Sequence, residues 1–370
     1  MGRRRMRSVF VWAVLGALVG IPGLGCDKSS SPGAASTMAV ADSATVVEKA
    51  KVAINSGGST FINPLMSKWS SEYQKVAQNV EINYQSIGSG GGIRQLIART
   101  VQFGATDAPM TEEQLKEAKS PVIHVPLVMG AVVATYNLPS MDHAVRFTPD
   151  VLAGIFLGTI KTWNDPKLAA INPALKLPAT AIVIVHRSDG SGTSFVFTDY
   201  LSKVSPEWKS KVGSATSVNW PIGIGGRGNE GVAGTVRQTP GAIGYVELTY
   251  AIQNKMPAGE VKNHAGQFVS PGIDAVTAAA AGAIATIPDD LRYSITDAPG
   301  EKAWPISGTT WAVVYQDMAA GPERTSVISF LRWALHDGQK FCPALDYAPL
   351  PAELVARADA KLDLVEPAGK

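Results

Sequence analysis

Charge and metal-ligating residues are both scarce in this sequence. Asp, Glu, Lys and Arg make up 17% of its 370 residues, and the formal net charge is +2. A general nucleic-acid binder, which needs a clustered basic face, is excluded. The five histidines stand at no spacing that suggests a metal site, so neither a metal nor a cofactor is expected. Of the two cysteines, Cys26 and Cys342, parity alone would allow a disulfide. The flexible stretch after Cys26 argues against it, and Cys342 reads as a small buried thiol. No internal repeat appears at solenoid periods.

Apolar residues, at 45%, are ample for two cores, and 36 glycines and 24 prolines supply many turns. At about 100–200 residues per domain, the length points to two domains of an α/β protein.

The N-terminus opens with a basic segment, Met1 to Arg7, followed by an apolar run from Val9 to Ile21. The run is short for a membrane span and has signal-peptide flanks. It ends at Gly23-Leu24-Gly25-Cys26, which resembles a bacterial lipobox, although Leu24 sits two rather than three residues before the cysteine. Residues 1–25 are expected to be a lipoprotein-type signal peptide and Cys26 the lipidated residue. The alternative is an ordinary secretory signal with Cys26 incidental. Residues 26–50, rich in Ser, Ala, Gly and Pro, read as a flexible tether.

Order is expected from about Lys51. Val52 to Ile54 reads as a strand. Leu65, Trp69, Tyr73 and Val76 then recur at helical spacing on one face, and Val80, Ile82 and Tyr84 alternate as in a strand. The alternation continues with strands near 101–105 and 122–127 and a helix near 112–118. A buried strand is expected at 181–185 and an alanine-rich helix at 275–285. Strands alternating with helices imply βαβ units and a mostly parallel sheet. In such sheets ligands sit at the carboxyl ends of the strands. Trp69, Trp163, Trp208 and Trp220 could serve an interaction surface, but buried packing is the expected role for most.

Three strand-to-helix loops share one composition: Gly57-Gly58-Ser59-Thr60, Gly88-Ser89-Gly90-Gly91-Gly92 and Gly190-Ser191-Gly192-Thr193. Glycine permits close approach of backbone to a ligand. N–H groups at a helix start favour an anion, and Ser and Thr hydroxyls add uncharged donors. The same residues also cap helices for purely structural reasons, so the convergence of three loops carries more weight than any one. Arg187, at the end of a buried strand, can hold an oxyanion bidentately. Asp107, in Phe103-Gly104-Ala105-Thr106-Asp107-Ala108-Pro109, also follows a strand end.

Gly58-Ser59-Thr60-Phe61, Ile87-Gly88-Ser89-Gly90-Gly91, the segment 103–109, Asp189-Gly190-Ser191-Gly192-Thr193-Ser194-Phe195, Trp220-Pro221-Ile222-Gly223, Gly228-Asn229 and Pro240-Gly241-Ala242-Ile243-Gly244-Tyr245-Val246-Glu247 occur in order. Together they resemble the phosphate-binding proteins of bacterial phosphate-specific ABC transporters, from about Lys51 to near the C-terminus. Ser59 and Thr106 stand where Ala and Ser are common in that family.

The resemblance implies a type 2 periplasmic-binding fold, α/β throughout, with two lobes joined by a two-segment hinge and ligand in the cleft. Lobe 1 would be 51–131 plus 306–370 and lobe 2 would be 132–305, with crossings near 129–134 and 304–309. It implies phosphate contacts at Thr60, the Phe61 backbone N–H, Ser89, Asp107, Arg187, Ser191, the Gly192 N–H and Thr193, with Asp189 orienting Arg187. It further implies that the protein is not an enzyme but binds inorganic phosphate with high affinity outside the cytoplasmic membrane and delivers it to an ABC importer. The implied partners are phosphate, the permease subunits of that importer and a membrane reached through the lipid, with a monomeric protein and no nucleic acid.

Asp107 beside an anion carries its own chemical meaning. A carboxylate repels a fully ionised oxyanion but accepts a proton from a protonated one. Phosphate keeps at least one proton at neutral pH and sulfate does not, so Asp107 would reject sulfate. Arsenate is protonated as phosphate is and remains an alternative ligand. A phosphate-ester hydrolase is a second alternative, but Gly190 and Gly192 flank Ser191 directly and do not form the G-x-S-x-G elbow. A nucleotide site at Gly223-Ile224-Gly225-Gly226-Arg227-Gly228 lacks, on sequence, the preceding strand and following helix it requires.

Overall fold

The structure, a computed structural model, describes residues 50–138 and 143–365. The expected signal peptide, Cys26 and all but the last residue of the tether lie outside the described residues. Among these residues no helix is long and apolar enough to cross a membrane.

The chain opens with alternating strands and helices: β1 (Val52–Gly58), α1 (Asn63–Val76), β2 (Val80–Ser86), α2 (Ser89–Ile97), β3 (Phe103–Thr106), α3 (Glu112–Ala118) and β4 (Val122–Tyr136). A second series follows: β5 (Arg146–Phe147), α4 (Pro149–Phe156), α5 (Pro166–Ala170), β6 (Val183–Arg187), α6 (Gly192–Val204), α7 (Pro206–Lys211), β7 (Ile224–Gly226), α8 (Gly228–Gln238), β8 (Ala242–Glu247) and α9 (Leu248–Gln253). Then come β9 (Glu260–Lys262), β10 (Phe268–Val269), α10 (Ile273–Ala283), β11 (Ser307–Tyr315), α11 (Pro322–Leu335) and α12 (Ala352–Leu362).

Eight strands form one sheet in the order β2-β1-β3-β11-β4-β8-β6-β7. Its two wings are parallel, β2-β1-β3 on one side and β8-β6-β7 on the other. The middle is antiparallel, through β11 and β4. A small second sheet has the order β10-β9-β5. The parallel wings follow from βαβ crossovers, which place a helix between successive parallel strands.

β4 joins the wings by changing partner midway. From Val122 to Ala131 it pairs with β11, and from Val132 to Tyr136 with β8. Val132 also accepts the Trp304 indole N–H at 3.1 Å and donates its own N–H to Ile306 at 2.9 Å. A strand buried on both faces reads as a near-continuous apolar run. β4 is such a strand, with only its first residue partly exposed.

Local sequence accounts for the helix ends. Thr111 and Gln114 form a capping box on α3. Proline occupies the first turn of α1, α4, α5, α7 and α11, where its missing N–H costs nothing. α1 buries Leu65, Met66, Trp69 and Tyr73, but Val76 is 69% exposed at its last position. The expected apolar face therefore ends one turn early, where the helix leaves the sheet.

Trp69, Trp163 and Trp208 are fully buried, each donating its indole N–H to a backbone carbonyl, of Gly338, Gly241 and Gly213 respectively. Trp220 is half-buried and stacks on His186 with ring centroids 4.9 Å apart. Cys342 is a buried free thiol whose pKa burial pushes up to about 12, which keeps it inert.

Two local readings are corrected. The Gly88–Gly92 stretch is mostly helical, because α2 begins at Ser89. The segment 223–228 does lead into a helix, since α8 opens at its last glycine, but no strand leads into it: β7 lies within the segment. β7 is only three residues long, too short to alternate, and glycine at two of the first four positions hides the start of α8.

Candidate functional site

The carboxyl ends of β1, β3 and β6 and the first turns of α2, α6 and α8 meet where the wings face each other. Thr60, Phe61, Ser89, Asp107, Arg187, Ser191, Gly192 and Thr193 are all buried there, and Asp189 is half-buried.

Asp107 lies at the centre. Its carboxylate accepts the Ser59 hydroxyl at 2.5 and 2.7 Å, the Thr310 hydroxyl at 2.6 Å and the Ser89 hydroxyl at 3.3 Å. Its own N–H donates to Ser89 Oγ at 3.1 Å. Burial pushes its pKa up to about 6, against the opposing pull of these hydroxyls and of the Arg187 charge. A carboxylate with this environment takes up a proton just below neutrality.

Arg187 faces it from the other wing. The guanidinium donates from Nε to Asp189 Oδ1 at 2.8 Å and from Nη2 to Asp189 Oδ2 at 2.6 Å. Nη1 reaches Thr193 Oγ1 at 3.4 Å. Asp189 also accepts the Gly228 N–H at 3.1 Å. Although burial opposes it, the bonds and charge from Arg187 and the backbone hold the Asp189 carboxyl below its ordinary range.

The hydroxyls come from strand ends and helix caps. Ser191 caps α6, accepting the Ser194 N–H at 3.0 Å. Ser59 Oγ takes the Phe61 N–H at 2.9 Å. The carbonyls of residues 59, 60 and 61 are each held by a tyrosine hydroxyl: Tyr84 at 2.6 Å, Tyr250 at 2.6 Å and Tyr347 at 2.5 Å. Three successive carbonyls are thereby satisfied, which fixes the orientation of the intervening peptide planes and their N–H groups.

The wings touch directly. The Gly90 N–H donates to the Gly190 carbonyl at 2.9 Å. Asn229 Nδ2 bridges Thr60 Oγ1 at 2.8 Å and Thr193 Oγ1 at 3.1 Å. A Cβ on Gly192 would collide with Asp107 Oδ2 and Ser89 Oγ, so only glycine allows α6 this close.

Neutral donors, a helix N-terminus and one guanidinium suit a small oxyanion. Nucleophilic catalysis at Ser191 would need a base against its hydroxyl. Ser191 Oγ instead lies against a helix N–H, while His186 stacks on Trp220 and His124 accepts the Met110 N–H at 3.0 Å. Among the described residues no cluster of three His, Cys, Asp or Glu could hold a metal.

Sequence reasoning did not single out Thr310, Asn229 or the three tyrosines. Thr310 lies 203 positions from Asp107 in the chain, and no local pattern signals such a contact. Asn229 alone carries a signal, since the Gly228-Asn229 pair stands among the motifs quoted above.

The PBP superfamily domain model matches residues 35–337. The phosphate-binding protein PstS of Xylella fastidiosa (strain 9a5c) is 47% identical over 310 residues, 84% of each chain. The protein of the same name from Haemophilus influenzae is 45% identical over 305 residues, covering 82% of this chain and 90% of that one. Among solved structures, the phosphate binding protein from Stenotrophomonas maltophilia aligns with a TM-score of 0.63 and 19% identity, over 84% of this chain and 93% of that one. At that identity the likeness speaks to the fold.

Proposed function

Because this chain belongs to the PstS family of phosphate-binding proteins, we propose that it captures inorganic phosphate in the cleft between its wings and delivers it to an ABC importer. It is a binding protein and not an enzyme. Its fold is the two-lobed α/β fold of the periplasmic-binding superfamily. The observation that supports the phosphate reading most is the meeting of Asp107 and Arg187, from opposite wings, among buried hydroxyls and glycine N–H groups.

The chemistry runs as follows. A phosphate stripped of water is costly to bury unless its oxygens are hydrogen-bonded. Thr60, Ser89, Ser191 and Thr193 hydroxyls, the N–H groups of Phe61 and Gly192, and the Arg187 guanidinium replace that water. Ser59 Oγ, which now accepts the Phe61 N–H, yields that donor to the anion. Asp189 holds the guanidinium flat toward the cleft. Asp107 accepts the proton that phosphate retains, which a sulfate could not offer. Each hydrogen bond to a charged group contributes about 1.5–3 kcal/mol. After ordering costs, a total on the order of −8 kcal/mol, micromolar affinity, is within reach.

The lobes are 51–131 with 306–370 and 132–305, and the hinge lies where β4 changes partner. Ligand contacts from both lobes favour the closed state over the open one, as a ligand-driven hinge requires. Cys26 carries a lipid that tethers a monomeric protein outside the cytoplasmic membrane.

The test is isothermal titration calorimetry of the domain stripped of phosphate by partial unfolding and dialysis. Phosphate and sulfate are titrated in parallel. One-to-one phosphate binding at micromolar or tighter, with sulfate silent, is the expected result. Absence of phosphate heat after verified refolding, or an equal response to sulfate, overturns the reading.

A further inference from the structure

Glu247 has no part in the anion site, yet it is fully buried and is the last residue of β8. One carboxyl oxygen accepts the Thr249 N–H at 3.0 Å, capping α9. Two hydroxyls face the rest of the carboxyl: Thr249 Oγ1 at 3.3 Å from Oε1 and Tyr347 Oη at 3.3 Å from Oε2.

A hydroxyl has one proton to donate. Thr249 Oγ1 lies closer to the Leu345 carbonyl, at 2.6 Å, and Tyr347 Oη closer to the Phe61 carbonyl, at 2.5 Å. A carbonyl can only accept. Both hydroxyl protons are therefore committed elsewhere, and both hydroxyls turn lone pairs toward Glu247. An ionised carboxylate would be buried against those lone pairs without a counter-charge. A protonated one donates into one of them.

The surrounding groups favour the neutral form. From the C-terminal segment, Asp346 contributes a charge of the same sign and Tyr347 a neutral phenol. From α9, Tyr250 is a second neutral phenol, itself facing Glu230 of α8 at 3.0 Å. The Asn229 side chain of α8 accepts the Glu247 backbone N–H at 3.0 Å. Burial holds the carboxyl well above its ordinary range.

We propose that Glu247 is a neutral carboxylic acid at neutral pH, whose proton ties β8 to the 345–347 segment and so positions Tyr347 on the Phe61 carbonyl. Glu247 is thus a positioning residue acting through Tyr347 on the loop that receives the anion. Only this last link rests on the phosphate reading.

The experiment compares wild type with Glu247→Gln and Glu247→Leu. Infrared difference spectra without phosphate, wild type minus Glu247→Gln at neutral pH, should contain the C=O stretch of a protonated carboxyl. Its absence overturns the proposal. The amide of Gln can donate as the acid does. Glu247→Gln should therefore keep phosphate affinity within about twofold, and Glu247→Leu should lose about tenfold, near the value of one hydrogen bond. Equal affinities in all three proteins would overturn the link through Tyr347. Wild type that binds no phosphate would sink the phosphate reading and leave the infrared result standing. Should Glu247→Gln not fold, wild type carrying isotopically labelled glutamate reads the same band across a pH titration.

Discussion

Arg187 and Asp189, two positions apart, are joined by a pair of parallel hydrogen bonds of 2.8 and 2.6 Å. The guanidinium is 1% exposed and its partner carboxylate 15%. This geometry fixes the plane of the guanidinium and leaves Nη1 directed at Thr193 of its own wing. Replacing Asp189 by Ala leaves a buried cation without its anion, which is strongly destabilising. Asp189→Asn keeps one hydrogen bond and loses the fork. Phosphate affinity is expected to fall about tenfold in Asp189→Asn, about 1.4 kcal/mol, and calorimetry at neutral pH reads the change.

On the role proposed for Asp107, the selectivity depends on pH. Its pKa in the fold is raised to about 6, so it carries its charge above that pH and a proton below it. A protonated Asp107 can donate to a sulfate oxygen, and the repulsion disappears. Sulfate binding is therefore expected to emerge as pH falls through about 6 and to be absent at pH 8. Asp107→Asn should bind sulfate at both. Parallel titrations at the two pH values check this, and sulfate exclusion that persists unchanged in the variant counts against the role of Asp107.

The same shift has a stability consequence of definite sign. The folded pKa, about 6, lies above the ordinary 3.8, so between these values the folded state holds the proton more tightly than the unfolded chain. The stabilisation is full below about pH 4 and is lost as pH rises through about 6. At 1.36 kcal/mol per pKa unit this amounts to about 3 kcal/mol for the phosphate-free protein. Melting temperature measured from pH 4 to pH 7 should fall from this group in wild type, and the slope should be shallower in Asp107→Asn.

The strand–helix alternation and the three glycine-rich segments were legible because each is a local pattern in the chain. Gly190 to Thr193 identifies itself by composition, and Ser191 does cap a helix. Thr310 and Tyr347 were not legible. Their partners, Asp107 and Phe61, lie 203 and 286 positions away, and only the antiparallel return of β11 and the C-terminal segment brings them together. Val76 shows the limit of periodicity, which marks a face but not where the neighbouring sheet ends. The 223–228 segment shows the reverse, a three-residue strand running straight into a helix whose start is hidden by glycine.

Among the described residues Asn229 is the one side chain that bonds hydroxyls of both wings, at Thr60 and Thr193, while its carbonyl oxygen holds the Glu247 N–H. Asn229→Ala leaves that N–H unpaired in the interior, at about 1–3 kcal/mol. The melting temperature should drop with and without phosphate. Asn229→Asp restores an acceptor for the Glu247 N–H but supplies no donor to the two threonines and adds charge beside the anion. It should recover less binding than stability, and thermal melts paired with calorimetry separate the two.

Gly192 offers the sharpest test of closure. It opens α6 at the point where that helix meets Asp107 and Ser89, and a methyl group there would overlap both. Asp107 and Ser89 lie across the cleft, so the methyl obstructs approach of the wings while leaving each wing's own packing intact. Helical backbone accepts alanine readily, so Gly192→Ala should fold. The lobes then stop short of each other, and an anion can be held from one side only. Losing the contacts of one lobe removes at least two charge-assisted hydrogen bonds, about 3 kcal/mol or more, and should weaken phosphate binding by a factor on the order of one hundred. Small-angle scattering should show wild type compacting on phosphate addition and the variant remaining at its ligand-free dimensions. Normal compaction in Gly192→Ala would mean that the wings close along a different path from the one these contacts define.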